Sequence, residues 1–335
     1  MVRRAPDRLR AQLHPYHLRL DSSCHSGRAD ASRLRGRRAQ PRGLGHSSQG
    51  VCEQALGACR LSWRHLPWTG AKPCCNKKLR IATWNINGLR ARLEYVLHWL
   101  RTRQPDVVGL QELKMLDEQF PTAEFEAAGY HSITHGQKAW NGVAIMSRQE
   151  AQVRQVGLPG QEDFGSRLLT ADVAGLRFTT VYVPNGKSLE HPDFERKLAW
   201  LDALAQHFAD GHAPGDQAVL CGDFNVVPEA LDSWDEEQLA GTIFHTESER
   251  GRFAYLLEWG LIDLFRHHHP GEKMFSWWDY RAGSFYRNQG LRIDFLLGTK
   301  AIADRLAAAR VDRDYRKKVD GLTASDHAPV IADLN

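Results

Sequence analysis

Beyond residue 76 the chain contains one cysteine, Cys221, although the whole sequence has six. A segment with a single thiol has no disulfide framework, which fits a reducing compartment. Long apolar runs are also missing. None approaches the roughly 20 residues a membrane helix requires, so no membrane partner is expected. No CxxC pair occurs, and Cys74 and Cys75 are adjacent, which speaks against a thiolate metal site. No clear internal repeat is present.

The 335 residues are 42% apolar and 25% charged, an ordinary globular composition. That length suits one large domain or two smaller ones. Charge is unevenly spread. Residues 1–76 carry 13 Arg and one Lys against Asp7, Asp21, Asp30 and Glu53, a net +10; with +4 for the whole chain, residues 77–335 carry −6. The first part also holds Cys24, Cys52, Cys59, Cys74 and Cys75, and shows neither helical nor alternating periodicity. It lacks the apolar centre of a secretory signal. Three readings compete: a disordered basic tail that binds nucleic acid, an Arg-rich organelle transit peptide, and upstream sequence translated from a misplaced start. The third is preferred. The expectation is therefore a disordered Arg/Cys-rich extension over 1–76, ahead of one ordered domain over 77–335. A bacterial-type cytoplasm is the default location, with organelle targeting only if the extension is a transit peptide.

Strand patterns recur at 79–86, 107–112, 142–147, 167–173, 176–184, 218–225, 292–298 and 327–334. Helical patterns cover 89–103, with Leu93, Val96, Leu97 and Leu100 on one face, 191–210, and 249–260, closed by Gly260. Strands interleaved with helices, two of them neighbouring at 167–184, predict mixed sheets covered by helices. The preferred architecture is one domain with two sheets packed face to face.

Several of these strands have apolar bodies and polar tips. "AVLCGDFNVV" (218–227) breaks into Gly222, Asp223, Phe224 and Asn225. "IATWNING" ends in Asn85 and Asn87, "VVGLQELK" in Gln111 and Glu112, and "TTVYVPNG" carries Tyr182 and Asn185. "LRIDFLL" contains Asp294, and "ASDHAPVI" enters its strand through Asp326 and His327. Singly, each suits a turn or a cap. Together they suggest one edge of an α/β sheet, where sites usually form. On an extended chain Asp223 and Asn225, two apart, point to one side, and Gly222 is expected to let the backbone approach a substrate closely. The set offers acids, amides, one imidazole and one phenol, with no Ser nucleophile and no Cys near a His. Hard oxygen donors suit Mg²⁺ or Mn²⁺ rather than zinc. Such a cation, a carboxylate to activate water and a His beside an acid describe hydrolysis of a phosphoester.

In order over about 78–335, "LRIATWNINGLRAR", "VVGLQELK", "VYVPNG", "GDFNVVP", "GLRIDFLL" and "SDHAPV" resemble the motif series of the exonuclease III family of apurinic/apyrimidinic (AP) endonucleases, in the endonuclease–exonuclease–phosphatase superfamily. GDFN and SDH mark only the superfamily; the other four point to its DNA-repair branch. The resemblance implies a four-layered α/β sandwich, two mixed β-sheets flanked by helices. It also implies a Mg²⁺-dependent enzyme, with Mn²⁺ able to substitute, that cleaves duplex DNA 5′ to abasic sites and trims or unblocks 3′ ends; a monomer is the default expectation. By the same resemblance Glu112 is the main metal carboxylate with Asn85 beside it. Asp223 is the general base or the acid that positions the water, and Asn225 aligns water and phosphate; both stand with the metal group. Tyr182 and Asn185 touch the scissile phosphate. His327, oriented by Asp294, contacts phosphoryl oxygens at the metal site, and Asp326 is a further candidate ligand. Trp277, Leu291 and Ile293 would line a pocket for a sugar without a base.

The aromatic and basic segment 273–295 reads as a DNA-facing loop, with Tyr280, Arg281, Phe285, Tyr286 and Arg287 wedging against bases or reaching phosphates. Arg90, Arg92 and Lys187 are further candidates for phosphate. "RHHHPG" (266–271) is not taken as a metal site, since consecutive turn residues rarely converge on one ion. The competing functions are a lipid or inositol phosphatase of the same superfamily, and a nucleic-acid-binding protein with a spent site.

Overall fold

The computed structural model describes residues 78–335, so the expected extension over 1–76 lies outside the described residues. Twelve strands follow in chain order: β1 (Leu79–Asn85), β2 (Val107–Gln111), β3 (His131–His135), β4 (Val143–Ser147), β5 (Gln152–Val156), β6 (Leu168–Val173), β7 (Leu176–Tyr182), β8 (Ala218–Asp223), β9 (Ile262–Asp263), β10 (Asp294–Gly298), β11 (Leu306–Val311) and β12 (Val330–Leu334). The α-helices are α1 (Leu93–Arg103), α2 (Thr122–Ala127), α3 (Pro192–Gly211), α4 (Glu236–Leu239), α5 (Glu247–Glu258), α6 (Leu264–His268) and α7 (Lys300–Ala303).

The strands form two six-stranded sheets, ordered β11-β12-β1-β2-β4-β3 and β5-β6-β7-β8-β10-β9. Each is mixed: β1 and β2 run parallel in the first, β7 and β8 in the second, and every other pairing is antiparallel. The sheets pack face to face through β1, β2 and β4 against β6, β7, β8 and β10. Alternation along the strands divides the side chains. Leu79, Ile81, Val107, Ile145, Phe178, Val219, Cys221 and Leu296 fill the space between the sheets. The intervening residues face outward: Ala82, Trp84, Val108 and Leu110 pack on α1, and Val181, Leu220, Phe295 and Leu297 share a core with α3 and α5. This is the expected four-layered α/β sandwich.

The three long helices fall where the apolar periodicity placed them, with adjusted starts. Residues 89–91 form a 3₁₀ turn and α1 begins only at Leu93, because Arg92 (φ −131°, ψ 12°) is outside the helical region. α1 ends at Gln104 in the left-handed region (φ 52°), just before Pro105. α3 is started by Pro192 and by the His191 ring, which accepts from the Asp193 N–H; α5 opens with a Thr246/Glu249 capping box.

Four strands were not expected from the sequence, and they are the four edges: β3 and β11 of one sheet, β5 and β9 of the other. β5 is exposed along most of its length, β3 is half-exposed, β11 is alanine-rich and β9 has two residues. Edge strands stay polar or short to avoid pairing with other chains, which removes the apolar signature that identifies central strands. The strand expected from residue 327 starts only at Val330.

Towards one end of the sandwich the inner layer turns polar. The Gln111 side chain donates to Thr83 Oγ1 (2.9 Å), Thr180 Oγ1 (2.8 Å) and the Gly109 carbonyl (3.1 Å). Gly109 makes room for this layer, since a Cβ there would sit 2.5 Å from Thr180 Oγ1 and 3.1 Å from Cys221 Sγ. Gly109→Ala should therefore destabilise the protein by about 1–3 kcal/mol, the usual range for overpacking. Urea unfolding checks this; an unchanged midpoint would mean that the sheets part freely at this level.

Candidate active site

Both parallel pairs point the same way, so β1, β2, β7 and β8 deliver their C-terminal ends to one edge, while β10 starts there and β12 is entered from it. Sheet register sets one row across the second sheet: Tyr182 pairs with Asp223, and Asp223 with Asp294.

Asn85, buried at the end of β1, donates from Nδ2 to Glu112 Oε1 (2.8 Å) and to Asp223 Oδ2 (2.9 Å). Its Oδ1 accepts from the Asn87 N–H at 2.9 Å, and its backbone carbonyl accepts from Ser325 Oγ at 2.8 Å. Glu112 follows β2 in the left-handed region (φ 57°), as does Lys114 (φ 54°). A regular strand would turn Glu112 away from the face of Gln111; the left-handed residue brings it back to Asn85. That conformation costs a non-glycine residue roughly 1–2 kcal/mol. Backbone bonds beyond the strand ends hold it: Gly88 N–H to the Glu112 carbonyl (2.7 Å), and Leu113 N–H to that of Gly142 (3.0 Å). Glu112 Oε2 meets Lys114 Nζ at 2.7 Å. Burial pushes the Glu112 carboxyl up, but Lys114 and Asn85 outweigh it and hold the group below its usual range.

Asp223 ends β8, almost fully buried. Burial and the nearby Asp294 and Glu112 charges raise its carboxyl to about 7 against the opposing pull of His327 and Asn85. Asn225 lies beyond the strand in the left-handed region (φ 50°), so simple alternation is not what joins it to Asp223. Its N–H donates to Asp223 Oδ1 (3.0 Å), its Nδ2 donates to the Val183 carbonyl (3.0 Å), and its Oδ1 accepts from Asn185 Nδ2 (3.4 Å). Gly222 serves a different neighbour from the one expected. Its φ is 143°, and a Cβ there would overlap the Val181 carbonyl of β7, so glycine admits the adjacent strand.

His327 Nδ1 lies 2.9 Å from Asp294 Oδ2, and Nε2 lies 3.8 Å from Asp223 Oδ2. Ser276 Oγ donates to Asp294 Oδ2 at 2.6 Å. Burial disfavours the imidazolium, but Asp294 and then Asp223 overcome this and raise His327 to about 10. Tyr182 is raised well above its usual value by burial, then by Glu112 and Asp223, so it remains a donor; Arg167 lies over its ring. Asp326 points elsewhere. Its Oδ1 accepts from Asn87 Nδ2 (2.9 Å) and its Oδ2 from Trp277 Nε1 (3.1 Å).

Among the described residues, one group of acidic and imidazole atoms lies close enough for a single cation: Glu112, Asp223 and His327, within 4.8 Å of one another. Asp326 is not in it. The two carboxylates offer hard oxygen donors that fit a divalent cation.

Leu291 and Ile293 form an apolar cluster with Val227, and Trp277 packs on it, fixed by paired backbone bonds of 2.9 Å to Leu291. Of the expected DNA-facing residues, Tyr286, Tyr280, Arg281, Arg287, Arg90 and Lys187 are exposed. Arg281 pairs with Asp279 (2.7 Å) and Lys187 with Asp193 (2.8 Å). Half-buried Arg92 donates to the Tyr280 hydroxyl at 2.9 Å. Phe285 does not face outward. It is 8% exposed and packs edge-on against Trp278 at 5.2 Å, with Arg313 over its ring, so it belongs to the core. Sequence reasoning passed over Lys114, Ser276 and Ser325, which lie inside or beside the quoted motifs but look like ordinary turn residues there.

Acid, amide and imidazole groups gathered at the shared edge of two mixed sheets define the class: metal-assisted phosphoesterases built on a two-sheet sandwich. The sequence profile of the Endonuclease/Exonuclease/phosphatase family matches residues 82–327. Exodeoxyribonuclease III of Haemophilus influenzae is 35% identical over 269 residues, covering 76% of this chain and all of that protein. An AP endonuclease from Archaeoglobus fulgidus superposes with a TM-score of 0.73 at 35% identity, covering 77% of this chain and 99% of its own. A 3′ phosphatase from Neisseria, solved with its product DNA hairpin, gives 0.73 at 40% identity with the same coverages. The chain belongs to the Endonuclease/Exonuclease/phosphatase family, in its exodeoxyribonuclease III branch.

The raised imidazolium sets a pH signature in the metal-free protein. A folded value near 10 against an ordinary 6.5 stabilises the fold fully below 6.5, and that contribution is lost as pH rises through 10. In Asp294→Asn, the His327 ring followed by NMR should titrate far closer to its ordinary value. The stability gap to wild type should be widest below 6.5 and narrow towards 10. An imidazole that titrates near 6.5 in the wild type would remove Asp294 as its counter-charge.

Proposed function

We propose that this chain, a hydrolytic DNA-repair nuclease, cleaves the backbone of duplex DNA 5′ to abasic sites and trims or unblocks 3′ ends, with Mg²⁺ as its cation. The observation that carries the reading is the buried Asp294–His327–Asp223 arrangement beside Glu112 and Asn85 at the open edge of both sheets. Glu112 and Asp223, bridged by the Asn85 amide, would hold the cation, which when bound would neutralise phosphate charge.

The chain's own groups supply the rest. Asp223, a buried carboxylate within reach of His327, holds the attacking water and takes its proton. The Asn225 amide orients that water and the phosphate. Asn185 and the Tyr182 hydroxyl donate to non-bridging oxygens. His327 is held through Nδ1 by the Asp294 carboxylate, so we assign it to donation from Nε2 to a phosphoryl oxygen rather than to the cation. Water attacks phosphorus and the bond to the 3′ oxygen breaks. The recess of Trp277, Leu291 and Ile293 accepts a flipped sugar that carries no base, and flipping costs least where pairing is already lost. Arg90, Arg92, Lys187, Tyr280, Arg281 and Arg287 hold the flanking duplex by phosphate contacts. Asp326 positions Trp277 and Asn87. The catalytic unit is residues 77–335, in keeping with a relative matched along its full length. A monomer in a bacterial-type cytoplasm completes the reading.

Single-turnover cleavage of an abasic duplex, with binding measured separately in Ca²⁺, tests it. Asp223→Asn keeps shape and loses the base, so its rate should fall by ~10²–10⁴-fold, the usual worth of general-base catalysis. Asn225→Ala should lose less, and affinity should change less than turnover in both. A variant that binds poorly yet cleaves normally once bound would make this edge a docking element. Glu112→Ala should abolish most cleavage at low Mg²⁺ and regain part of it in excess Mn²⁺; a near wild-type rate at low Mg²⁺ would remove Glu112 from the cation site.

A further inference from the structure

Lys197 of α3 and Glu249 of α5 are fully buried, and their side chains meet. The ammonium reaches further. It donates to the Asn225 carbonyl at 2.6 Å and to the Asn185 carbonyl at 3.4 Å. These residues carry the two amides assigned above to the phosphate. Glu249 joins the ammonium to the recess wall. Its Oε1 accepts from Lys197 and also from the Phe244 N–H at 3.1 Å, and its Oε2 closes the α5 cap with Thr246. The Phe244 carbonyl accepts from the Val227 N–H at 2.8 Å, and its ring packs on the Val227, Leu291 and Ile293 cluster, 4.8 Å from Lys197 Nζ.

Stability alone is a poor reason for such a pair, since well-packed apolar residues often replace a buried ion pair without loss. Apolar side chains would join α3 to α5 as well. They would not donate to two carbonyls at the site edge while their partner accepts from the wall of the apolar recess.

We propose that Lys197 and Glu249 form a positioning pair that fixes the spacing between the phosphate-facing amides and the apolar recess, and thereby determines how strongly abasic duplex is favoured over a simple 3′ phosphate. The proposal rests on the function given above. An abasic substrate engages amides and recess together, whereas a terminal phosphate needs mainly the amides.

The test compares full-length wild type with Lys197→Met/Glu249→Gln, which removes both charges and keeps an amide in the α5 cap. Single-turnover cleavage of an abasic duplex should fall about 10²-fold, the scale of a small misplacement, with KM little changed. Removal of a 3′ phosphate should fall less. Lys197→Arg, which keeps the charge and donors, should recover part of the ratio. Side-chain amide NMR gives a readout without substrate: the Asn185 and Asn225 signals should move while that of Asn141 stays. If the double variant does not fold, Glu249→Gln alone is the milder test and should lower the same ratio. Equal losses on both substrates, or wild-type ratio and amide signals in a folded variant, overturn the proposal. A wild type inactive on abasic duplex would sink the proposed function instead, and the amide signals would still decide the positioning.

Discussion

One amide group joins the two halves of the site. Asn85 Nδ2, at the tip of the first sheet, donates both to Glu112 of that sheet and to Asp223 of the other. Two carboxylates near each other in a buried setting repel, and each loses hydration. A donor shared between them lowers that cost and fixes the relative position of the sheet edges. Asn85 is fixed in turn by Ser325 and the Asn87 backbone. The spacing of the Glu112 and Asp223 carboxylates rests on that shared contact.

The sandwich reaches this edge by a gradient rather than a step. Apolar side chains fill the space between the sheets, then Thr83, Thr180 and Gln111 form a bonded polar layer, and only beyond it do carboxylates appear. The layer lets the interior change from oil-like to ionic over a few residues without stranding a charge. Gly109 permits the close approach it needs.

Buried charges recur beneath the site and serve geometry. Arg292, in the segment that leads into β10, is 2% exposed and bonds Asp232 at 2.8 Å and Asp263 at 2.7 Å. It ties the recess to the start of α6 as Lys197 ties the amides to α5.

Taken alone, the sequence determined the chemistry and most of the frame. Apolar runs marked eight strands because central strands are buried on both faces, and amphipathic periodicity marked α1, α3 and α5. The polar tips pointed to a site only as a set, since each carboxylate, amide or imidazole alone also suits a turn or a cap. Tertiary structure decided what local pattern does not encode. The four edge strands carry no apolar signal and are strands only because a neighbour pairs with them. Glu112 faces the site only through a left-handed residue held by Gly88 and Gly142, and Asn225 likewise lies outside the alternation that Asp223 obeys. Phe285, in an aromatic and basic loop, was claimed by the core through Trp278 and Arg313. Lys197 reads as one more charge on an amphipathic helix. Its burial depends on Glu249, 52 residues away, and on carbonyls at the ends of two other strands. Such contacts join residues distant in the chain, so they exist only once the sheets have closed on each other.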